Sequence, residues 1–236
     1  MRRKFFYSIT VAVATLCVSS CSDANNSAQS QSVTTQVAEI AEGETSFTAQ
    51  VWADNWFAMY VNGELVGEDS VPITTERSFN QETFTFTADY PLTISLEAKD
   101  FKENESGLEY IGQNNQQMGD GGLIAQIIDD STGEVIAVTD DNWQMFIQSI
   151  APLDKSCENS ADPLSDCESQ ENEIDSDWIS SDFDDSDWDQ AVVWSEAEVG
   201  PKDGYDEVSW DSAAKLIWGT DLEQDNTVLF RTTLER

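Results

Sequence analysis

From residue 45 onward, apolar and polar residues alternate in short runs, which is the pattern of β-strands with one buried face. In the first run, Phe47, Ala49 and Val51 share one face, and Thr48 and Gln50 share the other. No long segment repeats with the 3.6-residue period of a helix. The pattern therefore predicts an all-β protein, an antiparallel β-sandwich formed by a single domain. The predicted strands are about 47–53, 56–61, 83–88, 92–98, 122–128, 135–138, 143–147, 214–218 and 227–234, within a domain of residues 45–236.

The turn signals between the runs support this interpretation. Asn62-Gly63 follows the second run directly, and this dipeptide is the strongest short signal for a β-hairpin. The alternation breaks down at about residues 151–206, where acidic residues are dense. A structureless loop of this length is uncommon unless it has a function or is cross-linked by a disulfide. We therefore interpret the segment as an acidic insertion, ordered by a disulfide and by Trp178, Trp188 and Trp194.

Residues 1–20 have the features of a bacterial secretion signal. A basic start precedes the apolar stretch 5–18, which is shorter than the roughly 20 residues of a transmembrane helix. The sequence Val-Ser-Ser-Cys resembles a lipoprotein cleavage site, which implies that Cys21 carries lipid and becomes the N-terminus. An ordinary secretory signal is the alternative. The residue after the cysteine is not aspartate, which favours the outer membrane, and the polar residues 21–44 predict a flexible tether.

Two cysteines, Cys157 and Cys167, remain once the leader and the lipid anchor are accounted for. Secreted proteins work in an oxidising environment, so we expect these two cysteines to form a disulfide. On the chain-entropy model, a loop of this length gives a stabilisation of about 2.5–3 kcal/mol. The alternative is two free thiols. A zinc site made only of cysteine is excluded, because it needs more than two thiolates.

The composition allows a core, and the charge excludes several functions. The chain is 39% hydrophobic with eight tryptophans, and it has 46 acidic residues, 11 basic residues and no histidine, giving a formal charge of −35. Without histidine, a histidine-based catalytic triad and a histidine-ligated metal are excluded, and nucleic acid would be repelled. The leader holds three of the cations, so its removal takes the charge to −38. We expect salt to stabilise the mature protein by screening this self-repulsion.

Four groups of segments carry a family resemblance: 53–55 with 59–63, 121–127 with 139–143, 183–188, and 214–218 with 230–234. In this order they resemble the galactose-binding-like jelly roll, a β-sandwich found beside the catalytic domains of α-L-rhamnosidases and β-galactosidase-type glycosidases. The resemblance implies a jelly-roll fold and recognition of carbohydrate without catalysis, because the chain ends where those catalytic domains begin. We expect no enzyme activity. Among 46 acids any carboxylate pair could be proposed, so pairing is uninformative about hydrolysis.

Two acidic segments are candidate calcium sites, since calcium takes six to eight oxygen ligands. Asp54-Asn55 resembles, less closely, the two consecutive aspartates that hold calcium in the PA14-type lectins, although Asn55 supplies no charge. Asp184, Asp185 and Asp187 form a dense acidic run. The other interpretation of the first segment is a turn closed by an Asx hydrogen bond, and that of the second is a solvated acidic loop.

Candidate sugar-binding residues are exposed aromatic rings, which pack on the C–H groups of pyranose sugars, together with nearby amides. Trp56, Trp194 and Trp210 lie at or near predicted loops, and Asn114 and Gln116 lie in an amide-rich loop. The alternatives are core packing for each tryptophan and a soluble connector for the loop.

These patterns lead to a working hypothesis and one alternative from a different class. The hypothesis is a glycan-binding outer-membrane lipoprotein, with calcium as its candidate stabilising ion, the N-terminal lipid as its only membrane contact and no nucleic-acid partner. Neutral sugars fit the charge better than anionic ones. The alternative is a structural or adhesion module that binds another envelope protein and has no sugar ligand.

Overall fold

Two antiparallel β-sheets packed face to face form the folded body of the protein. The computed structural model describes residues 44–236. The predicted signal peptide, the lipidation site Cys21 and the tether up to residue 43 lie outside the described residues. Within the described range, no helix is both long enough and apolar enough to cross a membrane.

The elements of the described range are short, as the sequence pattern predicts. The helical elements are α1 (Pro163–Asp166), α2 (Glu196–Val199) and the 3-10 turns Lys155–Asn159 and Tyr205–Glu207. The strands, in chain order, are β1 (Thr45–Asp54), β2 (Trp56–Val61), β3 (Glu64–Glu68), β4 (Asn80–Ala88), β5 (Leu92–Lys99), β6 (Leu108–Glu109), β7 (Gln117–Met118), β8 (Gly122–Asp129), β9 (Val135–Val138), β10 (Gln144–Ile150), β11 (Gln170–Glu171), β12 (Asp189–Gln190), β13 (Val192–Trp194), β14 (Leu216–Trp218) and β15 (Asp225–Leu234).

The two sheets are built from strands that are distant in the sequence. The first sheet has the order β13-β14-β8-β1-β4, with β9 paired to β8. The second has the order β11-β10-β15-β5-β2-β3, with β12 paired to β10, and β6 and β7 form a separate pair. This arrangement confirms the predicted all-β antiparallel sandwich and is compatible with a jelly roll.

Alternate residues of the central strands build the core between the sheets. Phe47, Ala49 and Val51 of β1 and Ile94 and Leu96 of β5 are fully buried there. Full burial of such an aliphatic or aromatic side chain contributes roughly 1.5–3 kcal/mol. The alternation seen in the sequence is therefore the feature that stacks the two sheets.

The predicted hairpin at Asn62-Gly63 is confirmed. Val61 pairs with Glu64 across β2 and β3, so the turn consists of two residues. Asn62 has φ 51° and Gly63 has φ 88°. Both values lie in the left-handed region that a type I′ turn requires, and Asn and Gly tolerate this region best.

The acidic insertion covers the outer face of the first sheet. Trp52 of β1 points away from the core, yet it is fully buried in a second apolar cluster that includes Ile124 and Val199. The Tyr205 ring lies 5.6 Å from the Trp52 ring, centroid to centroid. The Trp52 indole N–H donates to the carbonyl of Asp203 at 3.0 Å.

The insertion also covers the outer face of the second sheet, where it is held by a buried arginine. Arg231 of β15 is only 2% exposed. Its guanidinium donates to the carbonyls of Trp178 and Ser180 and forms an ion pair with Asp185 at 2.8 Å. The Trp178 ring packs 6.0 Å from the Tyr60 ring. The insertion is therefore part of the packed structure.

The predicted disulfide between Cys157 and Cys167 is confirmed, and the two Cα atoms are 5.6 Å apart. It closes a loop within the insertion that contains most of the 3-10 turn Lys155–Asn159 and all of α1. The bond therefore limits the conformations of a segment that has little apolar surface to bury.

Candidate functional site

A cavity of about 560 Å³ lies at one end of the sandwich, and we call it the rim cavity. At this end β1 and β5 finish, and β8 and β15 begin. Four stretches of chain line the rim cavity: residues 117–120 before β8, residues 155 and 158 early in the insertion, residues 194 and 198 late in the insertion, and residues 221–223 between β14 and β15. The volume is in the range of small-molecule sites, about 300–1,000 Å³.

Hydrogen bonds to backbone carbonyls hold the walls of the rim cavity together. The side-chain amide of Gln116 donates to the carbonyls of Glu158 at 2.7 Å and Ser160 at 2.9 Å. The Gly121 N–H donates to the Leu222 carbonyl at 2.8 Å. The amide-rich loop, the disulfide loop and the loop between β14 and β15 are thus tied to one another around the cavity.

Trp194 is the aromatic residue of the rim cavity. It is the last residue of β13, pairs with Leu216 of β14 and is half-buried. Its indole N–H donates to the Gly219 carbonyl at 3.2 Å, which fixes the ring against the cavity wall. Glu198, in the first turn of α2, lines the cavity beside it.

The lining of the rim cavity is predominantly negative. Its charged residues are Asp120, Lys155, Glu158, Glu198, Asp221 and Glu223. The Lys155 ammonium is already paired, with its Nζ 2.6 Å from an oxygen of Asp221 and 2.8 Å from an oxygen of Glu223. The cavity can therefore offer many hydrogen-bond acceptors, and it would repel an anionic ligand.

The other two candidate tryptophans lie elsewhere, so the structure does not bring the three together. Trp56 begins β2 and carries the Lys99 ammonium 4.8 Å above its ring. Trp210 packs against the second apolar cluster on the outer face of the first sheet, and its indole N–H donates to the Tyr205 carbonyl at 3.0 Å. Neither residue lines the rim cavity.

The two candidate amides have different positions. Asn114 is exposed at the tip of its loop. Gln116 uses both ends of its amide inside the protein, because its oxygen also accepts the Gly112 N–H at 2.8 Å. Gln116 therefore positions the cavity wall, while the next residue, Gln117, lines the cavity.

Sequence reasoning missed several residues of the rim cavity. Gln117 and Asp120 lie within the amide-rich segment 113–122 that the sequence singled out, although only Asn114 and Gln116 were named as candidates, so that segment was the available signal. Asp221 and Glu223 had no such signal, because they are two acids among 46 in a short connection. The pairing of β8 with β14 and the hydrogen bond from Gly121 to Leu222 bring their loop to the cavity.

Asp54 and Asn55, the first candidate calcium segment, are both buried where β1 ends, and the peptide bond between them is cis. The Asn55 side-chain oxygen accepts the Phe101 N–H at 2.5 Å, and its nitrogen donates to the Glu76 carbonyl at 3.1 Å. The amide of Asn55 is thus used within the protein. Asp54 faces Lys202, with Nζ 3.3 Å from Oδ2.

Asp54 belongs to a group of four carboxylates, Asp54, Asp100, Glu109 and Asp120, which we call the acid cluster. Burial, reinforced by the charge of Asp120, raises the pKa of Asp54 to about 8. Burial and the charges of the other three members raise the pKa of Asp100 well above its ordinary range. Burial also raises the pKa of Glu109 to about 7. The acid cluster adjoins the rim cavity through Asp120.

The three aspartates of the second candidate calcium segment have different environments. Asp184 accepts the Ser186 N–H at 3.1 Å, Asp185 pairs with Arg231, and Asp187 is exposed. Across residues 44–236, no group of three or more Asp, Glu, Cys or His side chains is arranged to hold a metal ion.

Comparison with known proteins gives no match: no protein-family model, curated protein or solved structure is detectably similar to this chain. The class of protein is therefore defined by the fold and the site alone. It is an all-β antiparallel sandwich with a polar cavity and one half-buried tryptophan at its rim.

Proposed function

We propose that this protein is a non-catalytic carbohydrate-binding lipoprotein of the bacterial outer membrane, built on a galactose-binding-like jelly roll. The ligand is a neutral sugar bound in the rim cavity. The observation that carries the proposal is the position of Trp194, an aromatic ring held at the wall of a cavity otherwise lined mainly by polar side chains. Lipid on Cys21 attaches the protein to the membrane.

The chemistry of the rim cavity supports a sugar ligand. An indole ring packs favourably against the C–H groups of a pyranose, while carboxylates and amides accept and donate hydrogen bonds to its hydroxyls. Trp194 supplies the ring, and Gln117, Asp120 and Glu198 supply polar groups from the surrounding walls. This combination of one apolar face and several polar groups is typical of small-molecule sites.

The charge of the rim cavity selects among sugars. A uronic or sialic acid would bring its carboxylate close to five cavity carboxylates, of which two are already paired with Lys155. Like charges repel, so the negative lining disfavours an anionic ligand. We therefore expect neutral sugars to bind in preference to acidic ones, with calcium acting as a stabilising ion of the protein.

The first prediction concerns Trp194. Replacing it with alanine removes the stacking surface, so binding of a neutral glycan identified on a glycan array should weaken at least tenfold. Isothermal titration calorimetry on the purified mature protein measures this change. Trp194→Phe keeps an aromatic ring and should retain part of the affinity.

Trp56→Ala is the matched control, because Trp56 is also partly exposed and lies outside the rim cavity. Its affinity for the same glycan should equal that of the unmodified protein. Loss of binding in the Trp56 variant but not in the Trp194 variant would place the sugar site at Trp56 and not in the rim cavity. Binding to no glycan, together with co-purification of one envelope protein, would favour the structural or adhesion module instead.

A further inference from the structure

The acid cluster contains buried carboxylate oxygens without hydrogen-bond partners. Asp100 is 4% exposed, and neither of its side-chain oxygens has a partner among the described residues. Asp54 is fully buried, and its Oδ1 also has none. A buried ionised carboxylate without compensation costs several kcal/mol, so the native protein must compensate these oxygens in another way.

The backbone holds the side chains of Asp54 and Asp100 at the same end of the sandwich. The Asn55 N–H donates to the Lys99 carbonyl at 2.8 Å, and the Phe101 N–H donates to Asn55, so the residue after Asp54 is bonded on both sides of Asp100. Because Asn55 follows Asp54 directly and is bonded to the two residues that flank Asp100, Asp54 and Asp100 lie side by side where β1 and β5 end.

Two further residues close this position. The Asp100 N–H donates to the Asn226 carbonyl at 2.9 Å, and the buried side-chain amide of Asn226 also lacks a partner among the described residues. Gly119 packs directly on the Asp100 carboxylate, because a Cβ at this residue would lie 1.9 Å from Oδ2. Only glycine leaves room for the carboxylate here.

The charges at this position do not balance within the protein. The acid cluster has four carboxylates, and Lys202 supplies one ammonium. Its Nζ lies 3.3 Å from Asp54 Oδ2 and 3.0 Å from Asp120 Oδ2, so it compensates the oxygens on one side only. Asp54 Oδ1 and both side-chain oxygens of Asp100 remain without a hydrogen-bond or ion-pair partner among the described residues. Protons or a cation must neutralise them.

We propose that a calcium ion binds between Asp54 Oδ1 and the carboxylate of Asp100, with the side-chain oxygen of Asn226 as a third ligand. Calcium fits because it accepts carboxylate, amide and backbone carbonyl oxygens and water in a flexible shell of six to eight ligands. Two carboxylates are enough charge for one divalent ion when neutral oxygens complete the shell. The inference gives a position to the calcium of the proposed function and does not require a sugar.

The test is calcium binding to the mature protein, stripped with a chelator and kept in sodium chloride to screen the surface charge. At pH 7.5, calcium should bind with one strong site by isothermal titration calorimetry and should raise the midpoint of thermal unfolding. In Asp100→Asn, calcium affinity should fall at least tenfold and the thermal shift should disappear. This variant should fold, because asparagine has the shape of a protonated aspartate.

Asp187→Asn is the matched control, since Asp187 is an exposed acid that is not a member of the acid cluster. Its calcium affinity should equal that of the unmodified protein. Equal calcium responses in the unmodified protein and in Asp100→Asn would overturn the proposal, as would no response at pH 7.5. Glycan binding is measured separately, so either proposal can fail alone.

Discussion

Asp54, Glu109 and Asp69 are carboxyls that hold protons more tightly in the folded protein than in the unfolded chain. Burial, as the largest cause, raises their pKa values to about 8, 7 and 6, respectively. In each case the folded state disfavours the charged form, since water no longer surrounds it. These three residues therefore couple folding to pH in the direction opposite to that of a salt-bridged carboxylate.

The pH dependence of stability follows from these pKa values. Between about pH 4 and pH 8, the folded protein holds protons that the unfolded chain has released, so stability should be highest at the acidic end and fall as the pH rises. In calcium-free buffer with high salt, the free energy of unfolding from urea titrations should drop from pH 5 to pH 8 by on the order of a few kcal/mol.

Glu109→Gln is the control for this prediction, because it removes one of the buried carboxyls whose pKa is raised. The variant should show a smaller drop over the same pH range. A free energy of unfolding that stays constant or increases from pH 5 to pH 8 would contradict the assignment of these carboxyls as buried and proton-bound.

Among elements, the insertion has the largest effect on the site. Its 3-10 turn Lys155–Asn159, which leads into the disulfide loop, supplies Lys155 and Glu158 to the rim cavity, and β13 supplies Trp194. Arg231 and Trp52, which point outward from the two sheets, bury the rest of the insertion against the sandwich. The insertion therefore shapes the rim cavity while packing on both sheets.

Replacing both Cys157 and Cys167 with serine tests this role. Without the bond the unfolded chain gains conformational freedom, so the free energy of unfolding should fall by about 2.5–3 kcal/mol in urea titrations. Glycan affinity should also fall several-fold, because the loop carrying Glu158 is less restrained. A chemically reduced unmodified protein should behave in the same way, and unchanged stability in both would contradict the prediction.

At the scale of the whole molecule, the dominant feature is negative charge. The formal charge of −35, which the proposed removal of the leader would take to −38, acts against compaction, since most of the acidic side chains remain on the surface. At about 1 M salt the screening length is only about 3 Å, so this repulsion is largely removed.

We therefore expect the thermal unfolding midpoint of the mature protein to rise steadily with sodium chloride between dilute buffer and about 1 M salt. Sucrose at the same osmolality is the control, because it does not screen charge and should produce a smaller rise. A midpoint that does not respond to sodium chloride would mean that the surface acids are too dispersed to oppose folding.

The strands were predictable because side-chain alternation is a local property of the chain. The pattern around Phe47 and Val51 has one face for the core in any antiparallel sheet, and it predicted β1 correctly. Asn62-Gly63 likewise predicted its turn from two neighbouring residues. The short strands β11, β12 and β13 of the insertion were not predicted, because two or three residues show no period.

The sequence by itself determined the fold class, the hairpin and the disulfide, since each depends on a short pattern or on a count of residues. Only the tertiary structure decided which acids are buried, because Asp54 and Asp100 do not differ in type from the exposed acids around them. It also decided that Trp194, and not Trp56 or Trp210, meets Asp120 and Asp221 at one cavity. Burial and convergence depend on strand pairing across the whole chain, and no local pattern records them.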